Sequence, residues 1–180
     1  MISYILCNCR QIAEANKRFL KENTMSKTAG VYVTRTGNAR GIAESLASRL
    51  RTEARVIEDK VNRAGIWGYL RAGYQASTKK ATHIGDPDID LSKHDSVVIV
   101  QPIWASGIVP PLRSWLQKHA SELRNKKLGL ITVCKGSDAG PVKAAFEKEF
   151  MPLTAFGELK EKDDEATRSA VFDHLVRALS

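Results

Sequence analysis

Short apolar runs alternate along this chain with stretches in which apolar residues recur every three or four positions. The runs predict strands over Gly30–Thr34, Ala54–Glu58, Ser96–Gln101, Leu128–Cys134 and Leu153–Leu159. Val97–Val100 and Leu128–Val133 are almost wholly apolar, as strands covered on both faces must be. The helical periods fall between them. Ile42, Ala43, Leu46, Ala47 and Leu50 form one stripe, and Leu112, Trp115, Leu116 and Leu123 form another behind Pro110 and Pro111, which suit a helix start. Further helical periods cover Ile66–Lys79, Pro141–Phe150 and Asp164–Leu179. Strand–helix alternation of this kind predicts an α/β fold, with a doubly wound parallel sheet joined by crossover helices.

Residues 1–24 lie outside the alternation, and a start at Met25 would lead directly into the first strand. The expected organisation is an N-terminal extension over 1–24 and one domain over 25–180, with no repeat, low-complexity tract or linker dividing it. A chain of 180 residues, 43% hydrophobic, suffices for one domain burying roughly 70% of its unfolded surface. No apolar run approaches the ~20 residues that cross a bilayer, and "MISYILCNC" has no basic segment before it. Three cysteines, with Cys7 and Cys9 one residue apart, do not make a secreted disulfide framework. A cytoplasmic protein is expected, without membrane partners. The CxC pair lacks the further Cys or His needed for a metal shell. The formal charge of +8 is spread along the chain instead of gathered into a block, which predicts a solvated basic surface and no nucleic-acid partner.

Candidate chemistry gathers in three loops, each after a buried strand. In an open parallel sheet, ligands bind beyond the carboxyl ends of the strands where the winding reverses. "TRTGNA", Thr34–Ala39, is in that place and opens a helix. The hydroxyls of Thr34 and Thr36, the freedom of Gly37, the Asn38 amide and the first helical N–H groups together suit a phosphate. Thr, Gly and Asn are also ordinary turn formers. The second loop, "QPIWASGIVPP", sets Trp104 among small residues, where it can lie against a planar ring or fold down onto the core. The third, "CKGSDAG" at Cys134–Gly140, has the Gly and Ser that let backbone approach a flat ligand.

These loops resemble the flavodoxin family over residues 30–179. TRTGNA is similar to the family's phosphate loop, usually TxTGNT; PIWASGIVPPLRSWL resembles the loop and helix carrying a flavin-stacking aromatic; CKGSDAG matches the loop on the other side of the ring. "NRAGIWGYLRAGYQA", residues 62–76, is similar to a stretch in short flavodoxin-like proteins of bacteria and archaea. The resemblance implies five strands in the order 2-1-3-4-5 and non-covalently bound FMN. It implies phosphate contacts from Thr34, Arg35, Thr36, Gly37, Asn38 and Ala39, with Pro102, Ile103, Trp104 and Ala105 beside the ring. Gly136, Ser137 and Asp138 would border its pyrimidine side. Two positions depart from the pattern: Ala39 replaces the loop's last Thr, and Gln101 replaces the Thr before the Pro.

The implied function is electron transfer through FMN, to a redox partner protein or a small-molecule acceptor. An NAD(P)H-dependent quinone or flavin reductase and a flavin-free interaction module are the alternatives. Small electron carriers of the family are mostly acidic and this chain is basic, which bears on the carrier role more than on the flavin. Cys134, ending a buried strand, reads as inert packing. Trp67 and Tyr74 read as ring caps or as helix-to-sheet packing. His83 and His94 read as loop or surface residues, and His119 as a helix-face residue.

Overall fold

The computed structural model describes residues 27–61, 81–104 and 107–180. The extension, the helical period over Ile66–Lys79 with Trp67 and Tyr74, and Ala105 lie outside the described residues. Five strands form the main sheet: β1 (Thr28–Tyr32), β2 (Ala54–Val56), β5 (Ser96–Pro102), β6 (Lys127–Cys134) and β7 (Ala155–Lys160). All pair in parallel, in the order β2-β1-β5-β6-β7. In terms of the five strands expected from sequence, this is the order 2-1-3-4-5. Between β2 and β5 the chain also makes an antiparallel ribbon of β3 (Glu58–Asp59) and β4 (Ile84–Gly85). That ribbon was not expected, because strands of two residues carry no apolar run.

Strand limits also move. β1 starts two residues early, at Thr28, whose hydroxyl pairs with that of Ser96 at 2.7 Å inside the sheet; Ser96 also donates to the Leu179 carbonyl at 3.2 Å. Two buried hydroxyls that satisfy each other and one carbonyl avoid the cost of an unpaired polar group. Thr34 falls in the loop beyond β1, and β7 begins at Ala155 instead of Leu153.

The helices are α1 (Asn38–Arg49), α2 (Pro110–Lys118), α3 (Ala120–Leu123), α4 (Gly140–Glu149) and α5 (Glu165–Leu179). The single helix expected over 110–123 is broken at His119, which sits at φ −102°, ψ 15°. Its Nδ1 lies 2.8 Å from Glu122 Oε1 and its Nε2 3.2 Å from Asp86, so the break is held partly from outside the helix. Leu123 stays fully buried beyond it.

Side chains alternate across each strand, so the sheet has two apolar faces. Val97, Ile99, Leu128 and Leu130 pack under α2 and α4 with Leu112, Trp115, Leu116, Val142 and Phe146. Val98, Val100, Ile131 and Val133 pack under α1 and α5 with Ile42, Leu46, Phe172 and Leu175. The chain leaves β1 outward to β2 and returns on the other side as β5, so the winding reverses between the carboxyl ends of β1 and β5. Both candidate loops following those strands open there.

Close packing of α5 against the sheet depends on Gly157 in β7, where an added Cβ would meet Val171 Cγ1 at 2.5 Å and Leu175 Cδ1 at 3.2 Å. Gly157→Ala is expected to destabilise the fold by about 1–3 kcal/mol through overpacking, measured by urea denaturation. A loss below about 0.5 kcal/mol would show that α5 shifts freely on the sheet.

Candidate functional site

The first loop is set by β1 running one residue past its last ladder pair. Val33 is buried and donates to the Val100 carbonyl at 2.9 Å, which ties the loop's base to β5. Gly37 then turns the chain at φ 95°, ψ −20°, a conformation that carries strain for any residue with a Cβ, and α1 starts at Asn38. Gly37 N–H donates to Thr34 Oγ1 at 3.0 Å, which holds the loop and leaves the hydroxyl its own proton to donate.

Gly37 is the N-cap of α1 and supplies no side chain; the first turn has no acidic residue. The N–H groups at the start of a helix have no intrahelical acceptor. Here they are left at the positive end of the α1 dipole, which favours an anion. Ala39 is buried among the residues under α1, so it contributes backbone and no side chain. Arg35, Thr36 and Asn38 are exposed. Arg40 is hydrogen-bonded through Nε to Glu44 at 2.8 Å, and that bond holds its guanidinium pKa above the ordinary value.

The second loop leaves β5 at Pro102. Ile103 N–H donates to the Val133 carbonyl at 3.1 Å, binding this loop to the neighbouring β6. Gly107 N–H donates to the Trp104 carbonyl at 3.2 Å, which draws these two residues of the loop together. Trp104 and Ile103 are partly buried and pack on the core beneath α2. The two readings of Trp104, core packing and an available aromatic surface, meet in one half-covered indole. Gln101, the residue that departs from the expected Thr, is fully buried, and its Oε1 accepts from Val109 N–H at 3.1 Å.

The third loop is held from β7. Glu158, a residue the sequence did not single out, accepts from Ala139 N–H at 3.4 Å and lies 3.8 Å from Cys134 Sγ. Nothing in its alternating strand context marks it. Cys134 donates to the Ser137 carbonyl at 3.1 Å; burial and then the Glu158 carboxylate push its thiol pKa up. That agrees with an inert thiol, since the thiolate is the reactive form. Asp138 accepts from Gly140 N–H at 2.8 Å, so its carboxylate is engaged at the start of α4. Gly136 and Ser137 are exposed.

Three loops from adjacent strands therefore share one edge of the sheet, each cross-braced to a neighbour. His94, preceding β5, and His119, following α2, lie at the opposite edge. Among the described residues no group of three or more His, Cys, Asp or Glu side chains is placed to hold a metal.

The order of the strands, with this edge at the winding reversal, defines a flavodoxin-like α/β fold. Solved structures agree. A putative flavoprotein from Bacteroides uniformis aligns with TM-score 0.68 over 81% of this chain and 97% of its own, at 14% identity. A flavoprotein from Lactobacillus acidophilus, solved in complex with FMN, aligns with TM-score 0.65 over 74% of this chain and 93% of its own, at 17% identity. A flavodoxin from the domain Archaea gives 0.54 over 84% and 95%, at 12% identity. Identities this low establish the fold and nothing finer. No protein-family model and no curated protein matches the chain.

An added Cβ at Gly37 would meet open space, so substitution there acts through the backbone angle alone. Gly37→Ala is expected to cost about 1–2 kcal/mol of stability without altering the core, read by thermal denaturation. An unchanged melting temperature would mean that the turn relaxes out of the left-handed region at no cost.

Proposed function

We propose that this chain binds FMN without covalent attachment and transfers electrons through it. The observation that carries the proposal is the start of α1, a helix opened by a left-handed glycine with no side-chain cap and no first-turn acid. The chain's own residues fit the group. The N–H groups of Asn38, Ala39 and Arg40 would take the phosphate, with Thr36 and the Asn38 side chain beside it and Arg35 adding positive charge. The turn at Trp104 would lie along the ring, and the exposed backbone of Gly136 and Ser137 would border its other side. Thr34 and Asp138 brace their loops as well, Thr34 keeping its hydroxyl proton and Asp138 its second carboxylate oxygen for the ligand.

Bound FMN supplies one- or two-electron chemistry at its isoalloxazine ring. The protein's part is to hold the phosphate, flank the ring and leave its edge open to a partner. The acceptor is a redox protein or a small molecule, and the second reading is an NAD(P)H-dependent reductase. The basic balance of the chain favours that reading over the acidic-carrier type. Positive surroundings ease the addition of electrons to the ring, because one unit charge about 10 Å away contributes roughly 0.4–1.7 kcal/mol at an effective dielectric of 80 to 20. Oxidation of NADPH or NADH by the FMN-loaded chain separates the two.

Titration calorimetry on the full chain is expected to rank FMN above both FAD and riboflavin. One charge-assisted hydrogen bond lost with the phosphate is worth about 1.5–3 kcal/mol, so riboflavin should bind more weakly by at least roughly tenfold. Tighter binding of FAD, or equal binding of riboflavin, would overturn the phosphate assignment.

A further inference from the structure

Gln101 carries one polar atom more than the fold requires. It is fully buried in β5, opposite Thr132 of β6, one residue beyond the bond from Val33 to Val100 that extends the β1–β5 pairing. Alternation with Val97 and Ile99 places it on the α2 side of the sheet, at the base of the loop that carries Trp104. Its Oε1 must face Val109, because the Val109 N–H can only donate. That orientation leaves Nε2 as the free end, and Nε2 is buried with no hydrogen-bond partner. Turning the amide over would set its NH2 against the Val109 N–H, donor against donor, so the orientation with Nε2 free is the one that closes the loop.

A clamp for Val109 needs only an acceptor. The second end of the amide costs desolvation and gains nothing within the chain itself. Arg113 and Arg168 also bury an unpartnered Nε, but in each a second guanidinium nitrogen is engaged, by Glu149 and by the Glu161 carbonyl. In Gln101 the whole NH2 group is unsatisfied, at the point where the winding reverses.

We infer that Gln101 is a specificity-determining residue of the proposed flavin site: Oε1 fixes the loop base through Val109, and Nε2 donates to an acceptor atom on the edge of the bound heteroaromatic ring. The inference rests on the FMN reading and goes beyond it, because it assigns the ring edge to a residue that the usual pattern fills with Thr. A ring that presents an acceptor there is selected, and one that presents a donor is rejected, because two donors would then face each other without water. The amide is covered in the ligand-free chain, so binding must displace its cover and change its surroundings.

The test is a pair of ¹H–¹⁵N correlation spectra of the full chain, without ligand and saturated with FMN, with the Gln101 side-chain amide assigned by triple resonance. The expected result is a downfield move of one Gln101 Nε2 proton together with slower solvent exchange, alongside shifts at the Asn38–Arg40 amides. Shifts at Asn38–Arg40 with the Gln101 amide unmoved would overturn this inference and leave FMN binding standing. No shift at either place would overturn both. Gln101→Leu is expected to weaken FMN binding about two- to tenfold in a chain that still folds; should it not fold, the spectra of the unsubstituted chain decide alone.

Discussion

The structure depends on two strands, β5 and β6, being buried on both faces. Every residue from Ser96 to Gln101 and from Leu128 to Cys134 is shielded from solvent. A strand in that position cannot be joined to its neighbour by a tight hairpin, because parallel partners need a crossover, and the crossovers must supply the apolar cover for both faces. α2 and α4 cover one face while α1 and α5 cover the other. Polar chemistry is thereby excluded from the faces and confined to the edges. At the carboxyl edge the loops after β1, β5 and β6 necessarily lie side by side, in the order their strands pair.

The loops are positioned by backbone bonds to neighbouring strands more than by contacts of their own. Val33 reaches β5, Ile103 reaches β6, and Glu158 on β7 takes the Ala139 amide at the start of α4. The chain can therefore present exposed, small residues at this edge without losing the loop geometry. What remains unpaired is informative against that background. The uncapped start of α1 offers donors to an anion, and the Gln101 amide offers one more beneath the Trp104 turn. Two sets of donors at one end of a sheet, with a half-covered indole between them in sequence, suit a ligand that is anionic at one end and flat at the other.

The strands of the main sheet were legible in the sequence because both-face burial writes a nearly unbroken apolar run and amphipathic cover writes a helical period, whereas their order came from the resemblance of the loops to a known family. The ribbon of β3 and β4 was not, since Glu58–Asp59 and Ile84–Gly85 carry no pattern that separates them from a loop. The break at His119 was hidden for a different reason: its Asp86 partner is 33 residues away, and no local signal reports it. At the site, the residue types of TRTGNA marked a loop that the fold sets at the winding reversal, but the division of labour within it is geometric. Thr34 and Asp138, expected beside the ligand, also brace their own loops, whereas Glu158 holds a loop from a strand position that reads as ordinary.

The central claim is that the start of α1 holds a phosphate as a dianion. Phosphorus NMR of FMN mixed with the full chain reads this directly. A free phosphate monoester takes up a proton with a pKa near 6. Helix N–H groups and the dipole favour the dianion, so the phosphate pKa should fall on binding and the proton should be excluded until lower pH. The bound resonance is expected to hold its dianion position from pH 8 down to about pH 5. A bound resonance that titrates near pH 6, as in free solution, would contradict the account.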